Sequence, residues 1–348
     1  MTTTKYNGYL TKGRTRKGCA PFLIAEKGES CYTFDMNYIV FDLEWNQPQD
    51  GKHSAERELA FEIIEIGAVK LNDDLKLVSK YQQLIRPQVY KEINWRIRKM
   101  LALKPGELSG GKSFLHAAKD FFKWCGEDPV WCTWGTQDLT ELQRNMAYYG
   151  MEPLSAGPIR YMNVQKMYGV LCGNDTQSKA LETAVDELQL RKDVPFHRAY
   201  SDAYYTAKVL AKIPEEIRNE HAAYDVFHLP ENRRQEIHIE SPEGEGLITR
   251  GYADREKLLK DPHVMTIQCG KCGGVTVKTA VRWFTPNNRI FYAAGICKEH
   301  GCIAAKPRVR KNEQGLFYGE RKYNYVDEAA LEELKQQRRE ASKKQKSK

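Results

Sequence analysis

The sequence predicts an α/β domain, a mixed β-sheet flanked by helices, followed by a small β-rich domain. Three observations predict it. Near-continuous apolar runs after Tyr38 give way to alternating helical and strand-like patterns, the signature of one α/β layer structure. From His263 the chain changes to short β-rich runs, glycines and cysteines in pairs. The length, 348 residues, suits two domains at ~100–200 residues each.

The elements follow in order. Residues 1–36 carry little periodicity and form a basic N-terminal extension. Tyr38 to Glu44 (YIVFDLE) is apolar almost throughout and reads as a buried strand. Ile63 to Leu71 is a second strand. Asn72-Asp73-Asp74 is a turn, and Leu77 to Ile85 completes an antiparallel meander. Ile93 to Leu103 and Ser113 to Cys125 have helical spacing. Val130 to Trp134 is a short strand, and Asp138 to Tyr149 is a helix stopped by Gly150. Leu181 to Leu190 is a helix with Ser178 placed to cap it. Ala199 to Ile213 is the last helix of the block, closed by Pro214. This domain spans 37–213 and has 23 basic and 23 acidic residues. Residues 214–262, at −5 with Pro230 and Pro242, read as an acidic connector with some helix. Residues 263–327 form the second domain, and 328–348 a basic helical tail.

Composition limits what the chain can be. Hydrophobic residues make up 41% and charged residues 29%, so most of it is expected to fold. The net charge of +8 is concentrated at the ends. Residues 1–18 hold five bases and no acid, and residues 335–348 hold seven bases and one acid, which leaves −3 for everything between. No apolar run approaches the ~18–20 residues that cross a bilayer. The patch from Ala20 to Ala25, broken by Pro21 and ended by Glu26, is too short for a signal-peptide core. A cytoplasmic protein with no membrane partner is expected. In that setting nine cysteines point to thiols and metal ligands rather than disulfides.

Asp42-Leu43-Glu44 puts two carboxylates on one face of a strand, since side chains two apart point the same way. Placing like charges together in an apolar setting is costly unless a cation lies between them. Oxygen ligands suit Mg²⁺ or Mn²⁺. Asp138 and Asp202 each lie at a helix start, where a lone Asp is ordinarily a cap. His197 precedes Asp202 by five residues.

Together these residues resemble the DEDDh 3′→5′ exonucleases of the ribonuclease H-like superfamily. The matching segments are Phe41-Asp42-Leu43-Glu44-Trp45, Glu65-Ile66-Gly67-Ala68-Val69, Gly135-Thr136-Gln137-Asp138 and His197-Arg198-Ala199-Tyr200-Ser201-Asp202-Ala203. The resemblance covers about 175 residues. It looks closest to the branch that trims RNA 3′ ends. It departs from the proofreading branch, which usually has threonines where this chain has Trp45 and Asn46. The resemblance implies a ribonuclease H-like sheet and two Mg²⁺ or Mn²⁺ ions. It implies that Asp42 bridges both ions, that Glu44 and Asp202 complete one site, and that Asp138 holds the other through water. His197 would take the proton of the attacking water. An imidazole titrates near ~6.5 and suits that task. Leu43 and Trp45 are candidate substrate contacts. Trp45 either stacks on a base or packs under the sheet.

Cys269-Gly270-Lys271-Cys272-Gly273 and Cys297-Lys298-Glu299-His300-Gly301 share one template. Two such knuckles joined by a hairpin are a zinc-ribbon signal. The hairpin is expected from Val275 to Phe284 and Arg289 to Ile296. The ligands are Cys269, Cys272, Cys297 and His300, which repeats the spacing of the first knuckle, with Cys302 the alternative fourth ligand. One structural Zn²⁺ is expected, because so small a domain has little core of its own. Cys19, Cys31, Cys125, Cys132 and Cys172 have no such partners and read as ordinary thiols. Basic and aromatic residues also alternate here, as in Arg282-Trp283-Phe284 and Arg321-Lys322-Tyr323.

The expected function is removal of nucleoside 5′-monophosphates from a single-stranded 3′ end by a monomer, RNA being favoured over DNA. A proofreading-type DNA exonuclease and a non-catalytic nucleic-acid-binding regulator are the alternatives.

Overall fold

The computed structural model describes residues 37–49, 59–173, 178–241, 244–312 and 314–346. The expectation for residues 1–36, with Cys19 and Cys31, lies outside them. A six-stranded mixed sheet organises the first half. β1 (Tyr38–Asn46) is its centre, buried along most of its length because apolar side chains leave both faces. β2 (Glu62–Leu71) runs antiparallel to it with a register shift at Glu44/Trp45. β3 (Leu77–Leu84) returns antiparallel to β2. On the other side β4 (Val130–Thr133) and β5 (Ile159–Asn163) add in parallel. β6 (Ala223–Asp225) closes the edge antiparallel to β5. The strand order is β3-β2-β1-β4-β5-β6.

Helices cover both faces: α1 (Trp95–Met100), α2 (Phe114–Cys125), α3 (Gln137–Tyr148), α4 (Val164–Leu171), α5 (Leu181–Glu187), α6 (Ala199–Leu210) and α7 (Glu215–Glu220). Ile39, Phe41 and Leu43 point to one core with Phe114, Phe121 and Leu142 of α2 and α3. Tyr38 and Val40 point to the other, with Met167, Val185 and Tyr205 of α4, α5 and α6. Strand alternation therefore carries Asp42 and Glu44 onto the α6 face. Gly67 lets α6 come close. A Cβ there would stand 1.9 Å from the Tyr200 amide nitrogen, so only glycine fits between strand and helix. The mixed sheet between helical layers is the fold class that the sequence predicts. Ser178 is not the cap of α5; Ala180 holds that position with no side-chain hydrogen bond.

Residues 214–262 are a correction to the expected connector. After α7 they supply β6 to the first sheet. They then supply β7 (Ile237–Ser241) and β8 (Gly244–Ile248) to a second sheet, followed by α8 (Arg255–Lys260) and α9 (Pro262–Met265). Two burial patterns hold this stretch in place. Leu229, Ile248 and Tyr318 pack together, and Asp225 accepts hydrogen bonds from Thr140 and Gln143 of α3.

The remaining elements are β9 (Gln268–Cys269), β10 (Val275–Thr276), β11 (Lys278–Phe284), β12 (Tyr292–Cys297), β13 (Gly301–Ala305), β14 (Arg308–Lys311), β15 (Phe317–Val326) and α10 (Glu328–Lys346). The second sheet runs β11-β12-β13-β15-β8-β7, with β14 also on β15. The expected hairpin is β11–β12. Its first strand is broken after Thr276, where β10 pairs with β9 instead. Among the described residues no helix is long and apolar enough to cross a membrane.

Candidate active site

Four acids meet at the C-terminal end of β1. Carboxylate oxygens of Asp42, Glu44 and Asp202 all lie within 4.8 Å of one another. Asp138, on the first turn of α3, is buried beside them, and its Oδ1 accepts the Leu43 N–H at 3.2 Å. Asp138 is therefore held by the strand that carries the other two, not used as a helix cap.

The electrostatics of this cluster are uncompensated. Burial raises the Asp42 carboxyl well above the ordinary range, and the charges of Asp138, Glu44 and Asp202 raise it further. Burial, then Asp202 and Glu65, push Glu44 up to about 8. Burial pushes Asp138 to about 7 against the Leu43 hydrogen bond, and Asp202 to about 6 against the His197 N–H. The nearby cation, Arg198, is already engaged. Its Nε donates to Glu65 at 2.9 Å, and its NH2 stands 3.2 Å from Glu107. Oxygen donors at this spacing, short of positive charge, fit divalent cations of the Mg²⁺ or Mn²⁺ class.

His197 lies exposed on the loop before α6. Its φ of 65° is in the left-handed region, where a residue with a Cβ needs support from its surroundings. The support is visible. The His197 N–H donates to Asp202 Oδ1 at 3.3 Å, and the next residue is anchored through Arg198 to Glu65, itself 1% exposed. Arg198→Ala would leave Glu65 buried without its cation. We expect a loss of about 3 kcal/mol of stability, read from denaturant midpoints. A loss under ~1 kcal/mol would mean that the pair does not anchor the loop.

These residues line a cleft of about 400 Å³ together with Trp45, Met100, Trp134, Gly135, Thr136, Gln137 and Gln165. Of the expected substrate contacts, Leu43 is 3% exposed with its side chain in the core. Its part in the cleft is therefore its backbone. Trp45 is half-buried and packs on Phe61, ring centres 5.5 Å apart. Met100 and Trp134 also line the cleft, though no motif in the sequence marks them. Met100 is a half-exposed residue at the end of a short helix, and its only signal is that exposure. Trp134 precedes the Gly-x-x-Asp step, and its buried Nε1 has no partner among the described residues.

A second constellation joins the knuckles. His300 Nδ1 stands 3.4, 3.2 and 3.7 Å from the sulfurs of Cys269, Cys272 and Cys297, and the last two sulfurs are 3.6 Å apart. Ligands about 2.0–2.3 Å from a tetrahedral ion stand roughly 3.3–3.8 Å from each other, so the set fits zinc. Burial raises the Cys297 thiol, but the Glu299 and His300 N–H groups and the His300 ring outweigh it and bring it to about 6. A thiolate ligand is thus favoured there. Cys302 is not in the cluster; it packs with Val281, Ala294 and Leu331. Cys125 and Cys132 are buried and Cys172 is exposed, all free.

Residues 39–210 match the family model described as exonuclease. A search of curated protein sequences finds no match. Among solved structures, the nuclease domain of 3′hExo, a DEDDh family member bound to rAMP, is 18% identical with a TM-score of 0.47. The alignment covers 55% of this chain and 98% of that one. A 3′-exonuclease described in 3′-end-specific recognition of histone mRNA stem-loop is 18% identical, over 52% of this chain and 82% of that one, at 0.44. Exonuclease I of E. coli in complex with a dA16 oligonucleotide is 10% identical, over 78% and 55%, at 0.45. The family match and the carboxylate geometry, rather than these distant likenesses, carry the enzyme class.

Proposed function

From residues 39–210 as an exonuclease domain, and the enzyme as a phosphodiester hydrolase, we propose a metal-dependent enzyme that trims single-stranded RNA from its 3′ end. The observation that carries this reading is the meeting of Asp42, Glu44 and Asp202 within 4.8 Å, with Asp138 beside them and His197 at the rim of the same cleft. In this reading the carboxylates of Asp42, Glu44, Asp138 and Asp202 hold two divalent ions. When bound, such ions polarise the attacked phosphate and stabilise charge on the departing 3′ oxygen.

The chain's own residues do the rest. Asp42 would hold the ions together with Glu44, Asp138 and Asp202, whose charges all act on its carboxyl. Leu43 fixes Asp138 through its N–H. His197 is exposed and has no ring partner among the described residues, so its imidazole is free to take a proton from water at the cleft mouth. Trp45 and Met100 offer apolar edges for the terminal base. The products are nucleoside 5′-monophosphates. The zinc-held sheet, with cations such as Lys306 over Tyr292 and Lys311 over Phe317, is read as a surface for the strand upstream of the cut.

The test uses matched RNA and DNA oligonucleotides with Mg²⁺ or Mn²⁺. A 3′-label should leave at once as mononucleotide, a 5′-label should shorten stepwise, and RNA should be consumed faster. Release of the 5′-label first would reverse the polarity. Equal or faster loss of DNA would remove the RNA preference.

A further inference from the structure

The C-terminal helix carries an inner face that changes character along its length. Leu331 and Leu334 of α10 pack on Val281, Ala294 and Phe284 of the second sheet. One turn later the same face continues as Lys335 and Arg338, both half-buried. With Arg339, Ser342 and Lys343 they face Ala280 and Val281 across a groove of about 530 Å³. Lys335 pairs with Glu332. Arg338, Arg339 and Lys343 have no ion-pair partner among the described residues, and no acid lines the groove.

The helix dipole does not explain this placement. It favours cations only within the last turn, whereas Lys335, Arg338 and Arg339 lie earlier in a helix that runs to Lys346. Nor do solvated side chains explain it, since the inner positions are half-buried where leucines would continue the packing. The four cations run from Lys335 to Lys343, ~12 Å along the axis. Arginine forks match phosphate oxygens in pairs.

We propose that α10 and β11 form a groove for the phosphate backbone of a single-stranded nucleic acid, a holding site separate from the carboxylate cleft. That this strand is the trimmed substrate rests on the exonuclease reading. The groove itself is read from charge and shape.

The test compares wild type with Arg338→Gln/Arg339→Gln/Lys343→Gln and with Arg338→Lys/Arg339→Lys. Binding of a labelled 20-nucleotide strand is measured without divalent ions across a salt series. Trimming of a trinucleotide is measured with Mn²⁺. Losing three phosphate contacts should reduce the slope of log affinity against log salt by about 2. The lysine variant should keep the slope, and trinucleotide trimming should be unchanged in both. An unchanged slope in the glutamine variant, with its unfolding midpoint intact, overturns the groove and leaves the nuclease reading standing. If neither protein trims but the slope falls as expected, the nuclease reading fails and the groove stands. Displacement of the strand by polyglutamate at equal charge concentration would also overturn it, because the face would then select acidic chains in general.

Discussion

Asp42→Asn should reduce turnover about 10³–10⁴-fold while making the metal-free protein more stable. The two effects have one cause. Asp138, Glu44 and Asp202 each raise the Asp42 carboxyl through their charge. Losing several kcal/mol of transition-state stabilisation is worth roughly three to four powers of ten. The amide, however, removes a half-buried charge from a cluster of like charges. The sign in pH follows from direction. Glu44 rises from 4.5 to about 8, Asp138 from 3.8 to about 7 and Asp202 from 3.8 to about 6. For each, the contribution to stability is fully present below the ordinary value and is lost as pH rises through the raised one. Metal-free wild type should therefore weaken between about pH 4 and pH 8. Asp42→Asn should weaken less over that window, and Mn²⁺ should flatten the wild-type curve. Thermal melts at pH 5 and pH 8, with and without Mn²⁺, measure all three. A variant less stable than wild type at pH 8 without metal would contradict the picture of an uncompensated cluster.

The site was legible in the sequence to the extent that its residues sit on regular elements. Asp42 and Glu44 share a face because β1 keeps a regular register with β2 up to Glu44. Asp138 and Asp202 start helices that return to the end of that strand. What the sequence could not reveal is how these are fixed to one another. The role of Leu43 as an N–H donor, the Arg198–Glu65 anchor and the close approach of α6 at Gly67 are contacts between segments 95 to 133 residues apart. Periodicity carries no information about such pairs. The fold shows the same division. The long, strongly patterned elements β1, β2, α2, α3 and α6 were readable. β5 and α4 leave no clear pattern in the sequence, because a turn-rich stretch, Pro153 to Pro158, leads straight into a five-residue strand. Residues 214–262 misled through composition. Their acidic charge and prolines suggest a connector, yet Glu236 is buried and answered by Arg250 at 2.8 Å, and Asp261 by Arg250 at 3.2 Å and by Arg233. Net charge counts these acids without seeing their partners.

Chelation of the knuckle metal should have the largest structural effect, and it should stop at a definite boundary. Structural zinc in small domains is worth about 10–16 kcal/mol of apparent binding energy. The core around the knuckles is thin: Ile267, Ala293, Ile303, Ala305 and Tyr323 with the two buried cysteines. That end of the sheet should open when zinc leaves. The far end differs. Leu229, Ile248 and Tyr318 form one cluster, and Tyr252, Leu258 and Val264 another, neither touching a ligand. Trypsin should therefore cut first at Lys271 and Lys298, both exposed beside the ligands, while the exonuclease sheet and β7–β8 remain protected. Elemental analysis should find one zinc per chain in wild type and in Cys302→Ser, and none in Cys297→Ser. Zinc retained by His300→Ala but lost by Cys302→Ser would exchange the fourth ligand. Because the carboxylate cleft is built on the other sheet, trinucleotide trimming in Mn²⁺ should survive Cys297→Ser within about threefold, under ~1 kcal/mol. A collapse of that activity, with the exonuclease sheet still protected from trypsin, would show that the zinc-held end of the second sheet supports the cleft rather than only the strand leading into it.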